Sequence, residues 1–207
     1  MPTTIQHLSE DDVRSLSASI DIHLSEEQLT AYARRINNSL GWYEALASYG
    51  HSGSQSSPSP TDIRYNPDAE TDPLNAFITR FSLSSSNASG KLDGMDIAIK
   101  DNLAVAGVPM TCGSRTFEGV VPQRHATVVK RLLDAGARLA GKTNMDELAY
   151  GPTGETSQFG PTHKPVDPDH VAGGSSSGSG AAVGNGDVDA ALGSDTGGSV
   201  RIPAAFC

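Results

Sequence analysis

Two serines stand where a nucleophile could be activated. Ser175 lies in the run Gly173-Gly174-Ser175-Ser176-Ser177-Gly178-Ser179, and Ser199 closes Gly197-Gly198-Ser199, 24 positions later. Glycines beside a serine let the chain turn sharply and let other groups approach closely. They also leave successive backbone N–H groups free to point at an anion. A serine nucleophile with an oxyanion hole requires both. A flexible Gly/Ser linker has a similar composition, but Ala, Val and Leu interrupt the polar run here and Arg201-Ile202-Pro203 ends it.

Such a serine needs a base. All six histidines, His7, His23, His51, His125, His163 and His170, precede Ser175. Gly174-Ser175-Ser176-Ser177-Gly178 fits the nucleophile elbow of α/β-hydrolases, but that arrangement needs an acid and then a histidine downstream of the serine. Another order, with His125 or His163 as base, stays open, although both read more simply as loop or surface histidines. Lysine can serve when burial lowers its pKa toward neutrality. Lys130 falls on a charged helix face and Lys164 in a loop, where both are solvated. Lys100 follows the apolar run Ile97-Ala98-Ile99, at a strand end, where an α/β sheet places functional groups. Surface strand ends often carry lysine too, so position alone decides little.

Gly136-Ala137-Arg138-Leu139-Ala140-Gly141-Lys142-Thr143 fits the phosphate-binding P-loop pattern literally. That pattern needs a strand before its first glycine and a loop between the two. Here a helix precedes Gly136 and the intervening residues read as a strand, so nucleotide binding at Lys142 is not expected.

The elements that must hold these residues alternate between helix and strand. Residues 8–49 read as helical: Ser25-Glu26-Glu27-Gln28 is a capping box, and Leu29, Tyr32, Ala33, Ile36, Leu40, Tyr43 and Leu46 recur at helical spacing. Residues 50–62 have linker composition. We therefore divide the chain into a helical region with its linker, 1–62, and an α/β region, 63–207. Ser82 to Gly90 is a polar loop. Met95 to Lys100 is a strand, His125 to Ala135 a helix capped by Gly136, and Arg138 to Ala140 a short strand. Asn144-Met145-Asp146-Glu147 opens a further helix, and 151–170 is irregular. Ser179 to Val183 is helical, and Ala190 to Gly193 is a buried strand. The class is α/β.

Composition narrows the partners. The net charge is −9 over 207 residues, with no basic stripe, which argues against nucleic acid as a ligand. No apolar run reaches the roughly 18 residues of a membrane span. The polar, acidic N-terminus is not a signal peptide. The two cysteines, Cys112 and Cys207, lack metal-type spacing. A cytoplasmic protein without metal or cofactor is the expectation.

Four segments taken together resemble the amidase signature family: Met95-Asp96-Ile97-Ala98-Ile99-Lys100-Asp101-Asn102, Gly141 to Glu147, Gly173 to Ser179, and Gly193 to Cys207. The resemblance runs from about Leu92 to Cys207, and more loosely from Pro73. It implies a mixed β-sheet flanked by helices on both faces, with only the N-terminal half present. It also implies carboxamide hydrolysis through an acyl-enzyme and a Ser–cis-Ser–Lys triad. On this chain Ser199 would be the nucleophile, Ser175 the bridging serine after a cis bond from Gly174, and Lys100 the base. Backbone N–H groups of Thr196, Gly197, Gly198 and Ser199 would form the oxyanion hole, with Asp195 and Arg201 as structural support. The substrate would be a small amide, and the assembly a homodimer or an amidotransferase with partner subunits. The alternatives are the A subunit of the tRNA-dependent amidotransferase and an inactive truncated scaffold. The chain stops inside a signature motif, so the isolated 207 residues are expected to lack turnover.

Overall fold

The computed structural model describes residues 6–48, 58–85 and 90–207. Two compact units divide between Ser54 and Gln55. The first contains α1 (Glu10–Ser19) and α2 (Glu26–Ser48). The capping box forms at α2: Gln28 N–H donates to Ser25 Oγ at 3.3 Å and Ser25 N–H to Gln28 Oε1 at 2.8 Å. Leu29 and Ala33 are buried against Val13 of α1, with Ile36 packed beside them. Tyr32 and Tyr43 of the expected apolar face are exposed, so the stripe buried within this unit is narrower than the periodicity suggests. The Leu46 side chain and most of the expected linker, residues 50–57, lie outside the described residues.

The second unit holds β1 (Thr61–Tyr65), β2 (Phe77–Leu83), β3 (Asp96–Lys100), α3 (Thr127–Asp134), β4 (Arg138–Thr143), β5 (His163–Lys164), β6 (Asp167–Val171), α4 (Ser177–Gly184), β7 (Ala190–Leu192) and α5 (Arg201–Phe206). Five strands form a mixed sheet in the order β1-β2-β4-β3-β7. The β4-β3-β7 part is parallel, and β2 and β1 continue it antiparallel. Alternation along β3 assigns its two faces. Ile97 and Ile99 pack with Val129 and Leu133 of α3 and with Leu139. Ala98 packs with Phe77 and with Ala181 and Ala182 of α4. Lys100, two residues after Ala98, therefore belongs to the α4 face.

A β-bulge in β4 decides which side chains join it. Ile97 pairs with Leu139, but Ala98 pairs with Gly141, so Ala140 and Gly141 together oppose one residue of β3. Past the bulge Lys142 pairs with Ile99 and Thr143 with Lys100. Lys142 thus turns to the side opposite Lys100. Thr143 faces α4 and meets Ser179, Oγ1 to Oγ 2.8 Å.

Several local expectations need correction. No helix opens at Asn144. Its backbone N–H donates to Ala76 O at 2.8 Å and its carbonyl accepts from Gly178 N–H at 3.0 Å, which leaves neither for a helix. A single 3-10 turn, Glu147–Ala149, follows. Residues 151–170 are not wholly irregular, since β5 and β6 pair antiparallel. β4 runs on to Thr143, β2 extends into the polar loop as far as Leu83, and β1 starts at Thr61, ahead of the expected boundary. β7 is half-buried at the sheet edge rather than buried.

Candidate active site

Lys100 ends β3 with its side chain fully buried. Its ammonium nitrogen lies 2.7 Å from Ser175 Oγ, 2.9 Å from Ser194 Oγ and 3.3 Å from Ser194 O. None of these partners is charged. Burial therefore pulls the Lys100 pKa down to about 8, against the opposing pull of Asp146 and Asp195.

Ser175 sits two residues before α4, completely buried, after a cis Gly174–Ser175 peptide bond. The buried Asp146 carboxylate packs against this peptide: a Cβ on Gly174 would come within 1.9 Å of Asp146 Oδ2. Glycine is required there for that close approach. Asp146 also accepts from Gly154 N–H at 3.0 Å, and from Thr156 N–H at 3.0 Å and Thr156 Oγ1 at 2.9 Å. Its own N–H donates to Ser175 O at 3.2 Å. The Asp146 carboxylate thus gathers Gly154 and Thr156, while its backbone N–H joins the segment after β4 to Ser175.

Ser199 is half-buried, and its carbonyl accepts from Ser176 N–H at 3.0 Å. The two serine clusters are thereby joined through the backbone. Among the described residues no hydrogen bond links Ser199 Oγ to Ser175 Oγ. Asp195 organises the loop around Ser199. Its oxygens accept from Gly198 N–H at 2.8 Å, Val200 N–H at 3.1 Å and Arg201 N–H at 3.3 Å, and from the Arg201 guanidinium at 2.9 and 3.0 Å. The Arg201 hydrogen bonds, helped by the backbone donors, hold the Asp195 carboxyl well below the usual range. Gly198 N–H is consumed in this way, so among the described residues it is the engaged one of the four expected oxyanion donors. Thr196, Gly197 and Ser199 border an open cleft of about 410 Å³ that Ala149, Tyr150, Gly151, Pro152 and Ile202 also line.

The structure thus joins Lys100 to Ser175, ties Ser175 and Ser199 through neighbouring backbone, and pairs Asp195 with Arg201. His125 and His163 do not enter the site. His125 Nδ1 accepts from Ala106 N–H at 3.0 Å, and His163 Nδ1 lies 2.8 Å from Pro168 O. Lys142 serves no phosphate loop: it is buried within β4 and pairs with Asp101 at 2.6 Å. Sequence reasoning missed Ser194, Asn102 and Asp146 as parts of the site. All three stand inside the motifs already quoted. Asn102 stands two residues after Lys100 and Ser194 five before Ser199, a closeness that pattern alone does not convert into contact, and Asp146 is near neither in sequence.

Fold and site together define a mixed α/β protein built around a buried lysine–serine pair. The family model described as Amidase matches residues 72–207, and the chain belongs to the amidase signature family. It is 59% identical over 134 residues to the glutamyl-tRNA(Gln) amidotransferase A subunit of Halobacterium salinarum, a match covering 65% of this chain and 31% of that protein. To the protein of the same name from Methanosarcina acetivorans it is 58% identical over 118 residues, 57% of this chain and 25% of the relative. Among solved structures, the glutamyl-tRNA(Gln) amidotransferase A subunit from Thermotoga maritima aligns with a TM-score of 0.61 and 48% identity, covering 66% of this chain and 30% of that one. The native peptide amidase from Stenotrophomonas maltophilia aligns with a TM-score of 0.52 and 38% identity, covering 56% and 25%. The chain spans between a quarter and a third of the length of the curated relatives it matches. No helix among the described residues is long and apolar enough to cross a membrane.

Proposed function

We propose that this site cleaves the C–N bond of a carboxamide, with Ser199 as nucleophile, Ser175 as proton relay and Lys100 as base. The observation that carries the reading is the 2.7 Å contact between the fully buried Lys100 and Ser175 Oγ. Neutral Lys100 takes the Ser175 hydroxyl proton as Ser175 takes that of Ser199, and Ser199 Oγ bonds to the amide carbonyl carbon. The resulting oxyanion is received by N–H groups of Thr196, Gly197 and Ser199. The relay returns a proton to the leaving nitrogen, ammonia departs, and water releases the carboxylate from the acyl-enzyme. Asp195, Arg201 and Gly174 hold the loops, and no metal or cofactor takes part. The cleft wall of Ala149, Tyr150, Pro152 and Ile202 suits an amide with an apolar portion.

A second reading is favoured by the relatives named as glutamyl-tRNA(Gln) amidotransferase A subunits: glutamine amide hydrolysis, with the ammonia passed to a partner protein. Ammonia release from glutamine, compared with release from a small apolar carboxamide, separates the two. The shared chemistry is tested by fluorophosphonate labelling. Wild type is expected to gain one adduct on Ser199 and Ser199→Ala none; undiminished labelling of the variant overturns the assignment.

A further inference from the structure

Among the described residues Lys100 Nζ has three polar neighbours, and two of them belong to one residue. Ser194 offers its hydroxyl oxygen at 2.9 Å and its carbonyl oxygen at 3.3 Å. The same hydroxyl accepts from Asn102 Nδ2 at 2.9 Å, and the same carbonyl accepts from Ser176 Oγ at 3.3 Å. Ser194 therefore ties the end of β3, the start of α4 and the loop after β7 to one point. A neutral lysine amine carries two hydrogens and one lone pair, whereas an ammonium carries three hydrogens. If Ser194 takes two hydrogens in either state, the third direction points at Ser175 Oγ. In the neutral state the lone pair lies along it and accepts the Ser175 hydroxyl; in the charged state an N–H lies along it and donates.

We infer that Ser194 is a positioning residue that, through its hydroxyl and its carbonyl, holds the Lys100 amine with its lone pair directed at Ser175. The proton then crosses between Lys100 and Ser175 without movement of any heavy atom, because only the direction of one hydrogen bond changes. This rests on the reading of Lys100 as base for its use, but not for its geometry. The charged groups around Lys100 are Asp146, from the segment after β4, and Asp195, from the loop after β7. Asp195 is paired with Arg201, and α4 contributes hydroxyls and no charge. Lys142 and Asp101 pair with each other. Against that background the Ser194 hydroxyl matters most to the ammonium, because a hydrogen bond from a charged donor is the stronger one.

The test follows the Lys100 ε-methylene group through a pH titration by heteronuclear NMR, assigned with Lys100→Arg. Ser194→Ala is expected to lower the Lys100 midpoint by roughly one pH unit, a tenfold loss of proton affinity. Ser194→Thr keeps the hydroxyl and is expected to restore it. Should the alanine variant fail to fold, Ser194→Cys, close in shape but a weak acceptor, is expected to give the same downward move. An unmoved midpoint in the folded alanine or cysteine variant overturns the inference. Acylation of Ser199 is read in parallel. A wild type that is never labelled, together with a midpoint that moves, would sink the proposed function and leave the role of Ser194 standing.

Discussion

Lys100 and Lys142 lie on adjacent strands, one register step apart, and both side chains are withdrawn from water. Their partners differ. Lys142 meets a carboxylate: Asp101 Oδ1 stands 2.6 Å from its nitrogen, and Asp101 Oδ2 is held by Thr111 N–H at 2.7 Å and Thr111 Oγ1 at 2.6 Å. Among the described residues Lys100 meets only hydroxyls and a carbonyl at contact distance. Desolvation pulls both lysines below the ordinary value, but at Lys142 Asp101 opposes it at contact, while the carboxylates near Lys100 act from further off. Equal burial therefore yields two different groups, one half of an internal ion pair and one amine able to accept a proton. The bulge at Ala140 and Gly141 makes the difference, because it turns Lys142 to the face opposite α4.

The largest expected effect falls on Lys100. Lys100→Met should slow Ser199 acylation by about 10²–10⁴-fold, the usual range for loss of a general base. Its stability should behave the other way. The folded pKa of Lys100 lies below the unfolded value, so the folded state binds fewer protons between about pH 8 and 10.5. Stability therefore rises with pH across that window, and below it the full cost of the buried amine is present. Urea unfolding at pH 7 should accordingly find Lys100→Met no less stable than wild type, whereas a large loss would place Lys100 among the structural groups.

Lys142→Met should invert this pattern. It strands a buried Asp101 carboxylate, which costs about 3–5 kcal/mol when one partner of an internal pair is removed. Urea midpoints measure the cost, and acylation per folded molecule should change far less than in Lys100→Met. If Lys142→Met kept its stability and lost acylation, the division of labour between the two lysines would fail.

The smallest effect extends the comparison to a third sheltered base. His125 Nδ1 accepts from Ala106 N–H, and Nε2 is buried without a partner among the described residues. Burial lowers its pKa from 6.5, with Lys130 adding to the shift. The unfolded chain then binds the proton more readily, so stability should fall as pH drops below 6.5 and level off under the folded pKa. His125→Asn, whose side-chain oxygen can accept from Ala106, should flatten that slope. An unchanged slope would assign it to other groups.

How much of this was legible in the sequence depends on the range of the contact. Ile97-Ala98-Ile99 announced β3, the glycines around Ser175 and Ser199 announced sharp turns, and the family resemblance supplied the pairing of distant motifs. The bulge in β4 was not legible. Gly141 inside an apparent P-loop gave no sign that a Cβ there would meet Phe77 at 2.6 Å. Asn144-Met145-Asp146-Glu147 has the composition of a helix start, yet Asn144 spends its backbone on Ala76 and Gly178, both far away in sequence. Asp146 meets Gly174 and Ser175, 28 and 29 residues on, for the same reason. Local pattern cannot announce bonds that close only when the sheet forms.

The measurement that bears most directly on the central claim is the pH dependence of Ser199 acylation by a fluorophosphonate, followed by intact mass from about pH 6 to 9.5. With Lys100 as a base of pKa about 8, the rate should climb about tenfold per pH unit up to that value and then level off, and in Lys100→Met the climb should vanish with the rate. A wild-type rate that is flat across the range, or a climb that persists without Lys100, would contradict the account.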